Sequence, residues 1–299
     1  MCTNPSSIAT ILAVLLLAGP ALAADPGAPV APANPAQPGP VTSRPATAKP
    51  PAPQPLRKAL PAERAAAERL DPLARAAFWS HETDVDPMDA EAGVRLAVAL
   101  RQLGRYDEAD AAATKVTTLH PDNAEAILEI ARARISERQG FYAIQPLKQA
   151  SRLAPKDWRP YSLLGVALEQ SQRPAEALEA YDHALVLSPE NPAVLSNLAM
   201  FHAAKGERAE AEALLRRAVV RPDATVQVRQ NLALVIGLEG KLAEAEQLIR
   251  EDLPPEVASA NLAYLRSLQP GSAAPLTQAA ARSLPPAPAG SKDSPIKQP

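Results

Sequence analysis

Cysteine, histidine and aromatic residues are scarce in this chain of 299 residues. It has one cysteine, Cys2, four histidines and 3% aromatic residues. A single cysteine cannot form an intramolecular disulfide, and His81, His120, His183 and His202 show no metal-ligand spacing with one another or with acidic residues. A His-Glu-x-x-His motif and a glycine-rich phosphate loop are also missing. We therefore expect neither an enzyme nor a protein that holds a metal or another cofactor.

The chain also lacks an excess of charge of either sign. Its net charge is −2, and acidic and basic residues are interspersed. Because nucleic-acid binding requires a basic surface, no nucleic-acid partner is expected. The many charged side chains at helical spacing are instead typical of a solvated helix face with weak ion pairs.

Long hydrophobic runs are missing as well. The apolar run 8–18 is too short for a permanent transmembrane helix. The small-x-small pattern of residues 21–23 follows it, which predicts a secretory signal peptide over 1–23 and a mature chain in the periplasm or cell envelope. The alternative is a buried or membrane-anchoring helix. Because Pro20 stands where a lipoprotein signal has its lipid-bearing cysteine, we expect no lipid anchor.

Proline, in contrast, is abundant. The chain has 33 prolines, and they concentrate near its two ends. The stretches 24–61 and 270–299 lack the apolar periodicity that a buried core requires. Both are therefore predicted to be disordered Pro-rich segments that flank a folded region.

A period of 34 residues organises the folded region. Five segments begin at residues 90, 124, 158, 192 and 226, and each places the same residue classes at the same offsets. Counting the first residue of each segment as offset 1, the seventh offset holds Leu96, Ile130, Leu164, Leu198 and Leu232. The twentieth offset holds Ala109, Ala143, Ala177, Ala211 and Ala245. Small residues at fixed offsets suit two helices that cross closely. The period therefore predicts an array of stacked helical hairpins over 90–255.

Two further segments are predicted at the ends of this array. Residues 62–89 read as two short helices separated by Asp71-Pro72, a helix-start signal, and they suit a degenerate leading repeat. Residues 256–269 read as a single capping helix. Terminal repeats of such arrays are commonly atypical because one of their faces meets water.

The segment 90–268 resembles the tetratricopeptide repeat family. Gly104, Gly206 and Gly240 occupy the turn between paired helices, and Tyr106 and Tyr181 stand at aromatic positions of the family pattern. The resemblance implies an all-α solenoid of helical hairpins, a right-handed superhelix, that binds protein partners in a concave groove lined by the first helix of each repeat. By the family pattern, the partner-binding residues are Val98, Arg101, Leu128, Arg132, Ser162, Val166, Asn197, Met200, Asn231 and Leu234.

Three asparagines, Asn197, Asn231 and Asn261, each begin an Asn-Leu-Ala motif in successive first helices; the first two share one offset of the 34-residue period, and the third follows after 30 residues. A groove asparagine can offer both a donor and an acceptor to the backbone of a bound peptide. The alternative is helix capping or hydrogen bonding within a repeat. Val98, Val166 and Leu234 have a similar alternative, since they can also serve interhelical packing.

The end of the array resembles a narrower group of proteins. The run 231–268, with NLALVIGLEGKLAEAEQLI, EDLPPE and ANLAYLRSL, is similar to the end of the TadD-type proteins of tight-adherence (Flp) pilus assembly. The resemblance implies an exported, non-enzymatic scaffold whose partner is a pilus secretin or another Flp assembly component. The alternative function is that of a periplasmic accessory subunit that presents a substrate or client protein to a cell-envelope enzyme.

Overall fold

The computed structural model describes residues 57–269, and within this range the chain forms thirteen α-helices and no strand. In chain order they are α1 (Pro61–Ala67), α2 (Pro72–Val85), α3 (Ala90–Gln102), α4 (Tyr106–Leu119), α5 (Ala124–Ser136), α6 (Gly140–Leu153), α7 (Arg159–Gln170), α8 (Pro174–Leu187), α9 (Pro192–Ala204), α10 (Arg208–Val219), α11 (Val226–Leu238), α12 (Leu242–Asp252) and α13 (Pro255–Ser267). None of these helices is long and apolar enough to cross a membrane. The predicted signal peptide, the unlipidated N-terminus and nearly all of the two Pro-rich segments lie outside the described residues.

Side-chain caps determine where several helices begin. Asp71 accepts hydrogen bonds at 3.0 and 3.1 Å from two backbone N–H groups in the first turn of α2, and Pro72 is the first residue of that helix. Asp89, Asn123 and Asn191 cap α3, α5 and α9 in the same way. The helix start predicted at Asp71-Pro72 is therefore confirmed.

The turn inside each hairpin needs one residue in the left-handed conformation. The backbone φ angle at this place is +75° at Gly104, +62° at Arg138, +59° at Gln172, +84° at Gly206 and +88° at Gly240. Glycine adopts this conformation without a steric penalty, whereas arginine and glutamine meet a small one. The same turn thus occurs in all five repeats, although glycine marks only three of them in the sequence.

The chain divides into two compact units, with the boundary between residues 232 and 233 inside α11. In the first unit, successive helices from α2 to α10 pack against one another, and α3, α5, α7 and α9 each also contact the first helix of the neighbouring repeat. In the second unit, α12 packs against α13. The predicted all-α array of stacked hairpins is therefore confirmed.

The close helix crossings depend on small residues. All five alanines at the twentieth offset have no exposed surface. Gly165 on α7 lies against the buried ring of Tyr181 on α8, so a Cβ atom at Gly165 would approach the ring to within 2.5 Å. Before the first full repeat, Trp79 is 1% exposed and packs with Ala67 and Ala92. The small residues thus set how closely the helices of a hairpin approach each other.

Candidate functional site

The candidate binding surface is formed by the first helices of the repeats. We call it the first-helix face and define it by α3, α5, α7, α9 and residues 226–232 of α11, all of which belong to the first unit. Nine of the ten predicted partner-binding residues lie on these helices. Leu234 lies further along α11, in the second unit.

The ten predicted residues differ in their exposure. Six are partly exposed, namely Val98, Arg101, Arg132, Val166, Asn197 and Met200. Four are buried, namely Leu128 with 0% exposure, Ser162 with 1%, Leu234 with 4% and Asn231 with 6%. A partner would reach these four side chains only if helices moved, and helix packing accounts for their burial. Partner binding at the other six stays a prediction.

A buried carboxylate joins two of the predicted arginines. Glu129 on α5 is 2% exposed. Its Oε2 accepts a hydrogen bond of 2.8 Å from Arg101 Nε on α3, and its Oε1 accepts one from Arg132 Nη1 on α5. Both arginine side chains are about one quarter exposed. The two arginines therefore pair with the buried Glu129, and the cluster of these three side chains carries a net charge of +1.

Glu129 is not among the residues that the sequence pattern predicted for this surface. It occupies the same offset as the asparagines Asn197 and Asn231, where the third repeat has Leu163. A charged residue at an offset that is polar in three other repeats was the available signal. Its partner Arg101 was not visible, because Arg101 lies 28 positions away in the preceding repeat.

A second set of ion pairs follows on the neighbouring helix. Arg159 Nε lies 2.9 Å from Asp157 Oδ2, and Arg159 Nη2 lies 2.5 Å from Glu125 Oε1 on α5. Burial opposes ionisation of Asp157, but its hydrogen bonds from Arg159 prevail and lower its pKa, with a smaller contribution from the charge of Arg132. The charged side chains on this part of the face are thus already paired with one another.

The asparagines link successive repeats. Asn197 Nδ2 on α9 donates a hydrogen bond of 3.0 Å to Ser162 Oγ on α7, and Asn231 Nδ2 on α11 donates one of 2.9 Å to Ser196 Oγ on α9. Gln227 Nε2 donates a further bond of 3.0 Å to Asn231 Oδ1. The two asparagine–serine bonds run between repeats, so they are neither helix caps nor bonds within a repeat. Because Ser162 and Ser196 are buried, these bonds also satisfy hydroxyl groups that water does not reach.

Glu169, near the end of α7, has a carboxyl group whose pKa is shifted by burial. Burial raises its pKa to about 7, although the positive charge of Arg138 counteracts part of this rise. The neighbouring Tyr181 is also buried, and among the described residues none forms a hydrogen bond of normal geometry with its hydroxyl. Burial, and secondarily Glu169, raise the pKa of Tyr181.

The Glu169 carboxylate should make folding stability depend on pH. Since its folded pKa of about 7 lies above the value of 4.5 expected for the unfolded chain, the native state binds a proton more tightly than the unfolded state does. Stability should therefore fall as pH rises from about 4.5 to 7, by up to roughly 3 kcal/mol.

Glu169→Gln should remove this loss, so urea unfolding at pH 5 and pH 8 should give more similar midpoints than in the wild type. The exposed Glu179→Gln on α8 serves as the control, and an unchanged pH dependence in Glu169→Gln would contradict the assignment.

The histidines do not come together. Within residues 57–269, no group of three or more histidine, cysteine or acidic side chains is arranged to hold a metal ion. His202 Nδ1 lies 2.6 Å from Glu207 Oε2 in the turn between α9 and α10. His202 therefore has a hydrogen-bond partner at the helix end, as expected for a structural histidine.

Comparisons with known proteins agree with this geometry. Family profiles described as tetratricopeptide repeat match residues 91–123, 143–192 and 168–225. The chain is similar to TTC0263, a thermophilic TPR protein of Thermus thermophilus, with 24% identity over 59% of this chain and 98% of that protein and a TM-score of 0.54. It is also similar to the APC/C hetero-tetramer Cut9-Hcn1, with 18% identity over 68% of this chain and 39% of that protein and a TM-score of 0.54.

A third structure, MamA 41-end from Desulfovibrio magneticus RS-1, has 23% identity, coverage of 53% of this chain and 89% of that protein, and a TM-score of 0.46. No curated protein matches the chain significantly in sequence. The profiles identify tetratricopeptide repeats within residues 91–123 and 143–225, and the likeness to TTC0263 shows the same fold of stacked helical hairpins.

Proposed function

We propose, from the premise that this chain is built of tetratricopeptide repeats, that it is a scaffold whose first-helix face binds an extended segment of a partner protein. The observation that carries this proposal is the mixture of partly exposed side chains on that face. Val98, Val166 and Met200 offer apolar surface, and Arg101 and Arg132 offer charge beside it. Such a face suits a peptide that has apolar side chains and at least one acidic group.

The proposal extends to the cellular setting. Two sequence features support an exported scaffold of Flp-type pilus assembly, with a secretin or another assembly component as its partner. These are the cleavage pattern at residues 21–23 and the run 231–268 that resembles TadD-type proteins. The first favours the periplasm or cell envelope as the location, and the second suggests the assembly that the protein serves.

One experiment tests location and partner together. Protein recovered from the periplasm should have the intact mass of a chain that begins at Ala24 and carries no acyl group. The same material, immobilised and incubated with an envelope extract, should capture a pilus secretin or another Flp component. Capture of a cell-envelope hydrolase or haem-maturation enzyme instead would favour the accessory-subunit function. A protein found only in the cytoplasm would contradict the export.

The asparagines allow a binding role to be separated from a structural one. If Asn197 and Asn231 hold the main chain of the partner, which for the buried Asn231 requires the helices to move, replacing both with alanine should weaken binding about 5-fold to 150-fold, since each loses roughly 0.5–1.5 kcal/mol of hydrogen bonding. The matched control is Ser162→Ala with Ser196→Ala, which removes the acceptors of the inter-repeat bonds and keeps both asparagines. Titration of the captured partner gives the affinities, and circular dichroism gives the helix content. Equal losses of affinity in the two double variants would show that the asparagines act through the repeats alone.

A further inference from the structure

A small cavity lies in the first repeat, and none of the ten predicted partner-binding residues lines it. It has a volume of about 90 Å³ and lies between the end of α2, the loop 86–89, the first half of α3 and the second half of α4. Its lining includes the apolar side chains of Met88, Leu96, Val116 and Leu119. Met88 and Leu119 are 58% and 39% exposed. The lining is mainly apolar, although it also includes Thr83, Asp89, Lys115 and His120, and the cavity is open to a side chain from outside.

The first repeat departs from the repeat pattern at two residues that line this cavity. Gly93 stands at the offset where Ile127 and Leu195 are buried in later repeats, and Val116 stands where those repeats have alanine. A Cβ atom at Gly93 would collide with Val116 Cγ2, so the valine occupies only the space next to the glycine. The volume that a larger side chain fills in later repeats is thus incompletely filled here.

The described chain begins next to this cavity. Lys58 Nζ lies 3.1 Å from Asp86 Oδ2 and 2.7 Å from Asp89 Oδ2, and Ala59 N donates a hydrogen bond of 2.9 Å to Glu82 Oε1. Asp89 also lines the cavity. These contacts hold Lys58 and Ala59 next to residues at the edge of the cavity.

We propose that the cavity binds an apolar side chain from residues 50–56 of the same chain. Their sequence is Pro-Pro-Ala-Pro-Gln-Pro-Leu, so Leu56 and the prolines supply apolar groups that fit a space of this size. Seven extended residues reach roughly 23–25 Å, which is ample from an anchor at Lys58. A proline-rich segment is pre-extended and loses little conformational entropy on binding, and the short tether keeps its local concentration high.

Disulfide trapping in the full chain tests this docking. In a Cys2→Ser background, Ala52→Cys is combined with Lys115→Cys at the rim of the cavity. The matched position one repeat further is Gln149→Cys, at the same exposed place on α6. We expect the Lys115 pair to form an intramolecular disulfide at least about tenfold faster than the Gln149 pair, because disulfide formation requires close approach of the two Cα atoms.

A tether control separates docking from mere proximity. Replacing Pro53, Pro55 and Leu56 with serine keeps the tether length and removes the apolar groups, so the rate of the Lys115 pair should fall about tenfold. Met88→Glu, which places a charge at the opening, should lower this rate similarly while circular dichroism remains unchanged. An unaltered rate in both variants would overturn the proposal. Disulfide-linked dimers whose yield rises with protein concentration would overturn it in favour of a second copy as the occupant.

Discussion

Replacing Arg101 and Arg132 together with alanine should lower the free energy of unfolding by about 3–5 kcal/mol. Both guanidinium groups bind the carboxylate of Glu129, which is 2% exposed and therefore has almost no contact with water. Without them the array would bury an unpaired negative charge, which costs much more than the loss of two surface ion pairs. Urea unfolding followed by circular dichroism measures the change.

The control for this prediction removes the buried charge itself. Adding Glu129→Leu to the double arginine variant should restore most of the lost stability, because an apolar side chain of similar size needs no partner at that position. Either single arginine variant should lose less, since one ion pair remains. If the double variant unfolds at the wild-type urea concentration, Glu129 must be solvated, and the paired cluster described above would be wrong.

Gly165→Leu should destabilise the third repeat by on the order of 1–3 kcal/mol. A Cβ atom at this position would already approach the ring of Tyr181 to within 2.5 Å, and the remaining atoms of leucine need still more space. Tyr181 is completely buried, so its ring cannot turn into solvent to make room. The two helices α7 and α8 would have to separate.

The matched control for this prediction is Glu179→Leu, on the exposed side of α8, which should change the urea midpoint very little. The two substitutions introduce the same side chain into the same helical hairpin. Equal urea midpoints for the two variants would contradict the close crossing at Gly165.

The repeat period accounts for the part of the fold that was predictable. A helical hairpin of 34 residues occurs five times, so weak local signals in one repeat are supported by the others. Pro121, Pro155 and Pro189 each follow the end of a second helix by two residues, where proline helps to end the helix. Arg138 and Gln172 stand at the offset of these turn glycines in the second and third repeats, and there the structure keeps the left-handed backbone without glycine.

The candidate surface was less predictable, because the family pattern gives an offset but not an exposure. Leu128 and Ser162 occupy groove offsets and are nevertheless buried, whereas Val98 and Val166 at another groove offset remain partly exposed. Whether a first-helix side chain reaches solvent depends on the size of its neighbours in the adjacent repeats. That information is spread over residues far apart in the chain.

By itself the sequence determined the helices, their caps and turns, and the stacking of hairpins, since these depend on local propensity and on a strict period. Only the tertiary structure decided how polar groups are satisfied. The bonds from Arg101 to Glu129 and from Asn197 to Ser162 connect residues 28 and 35 positions apart. The physical reason is that a buried polar group must find a partner in three dimensions, and in a stacked array that partner belongs to the neighbouring repeat.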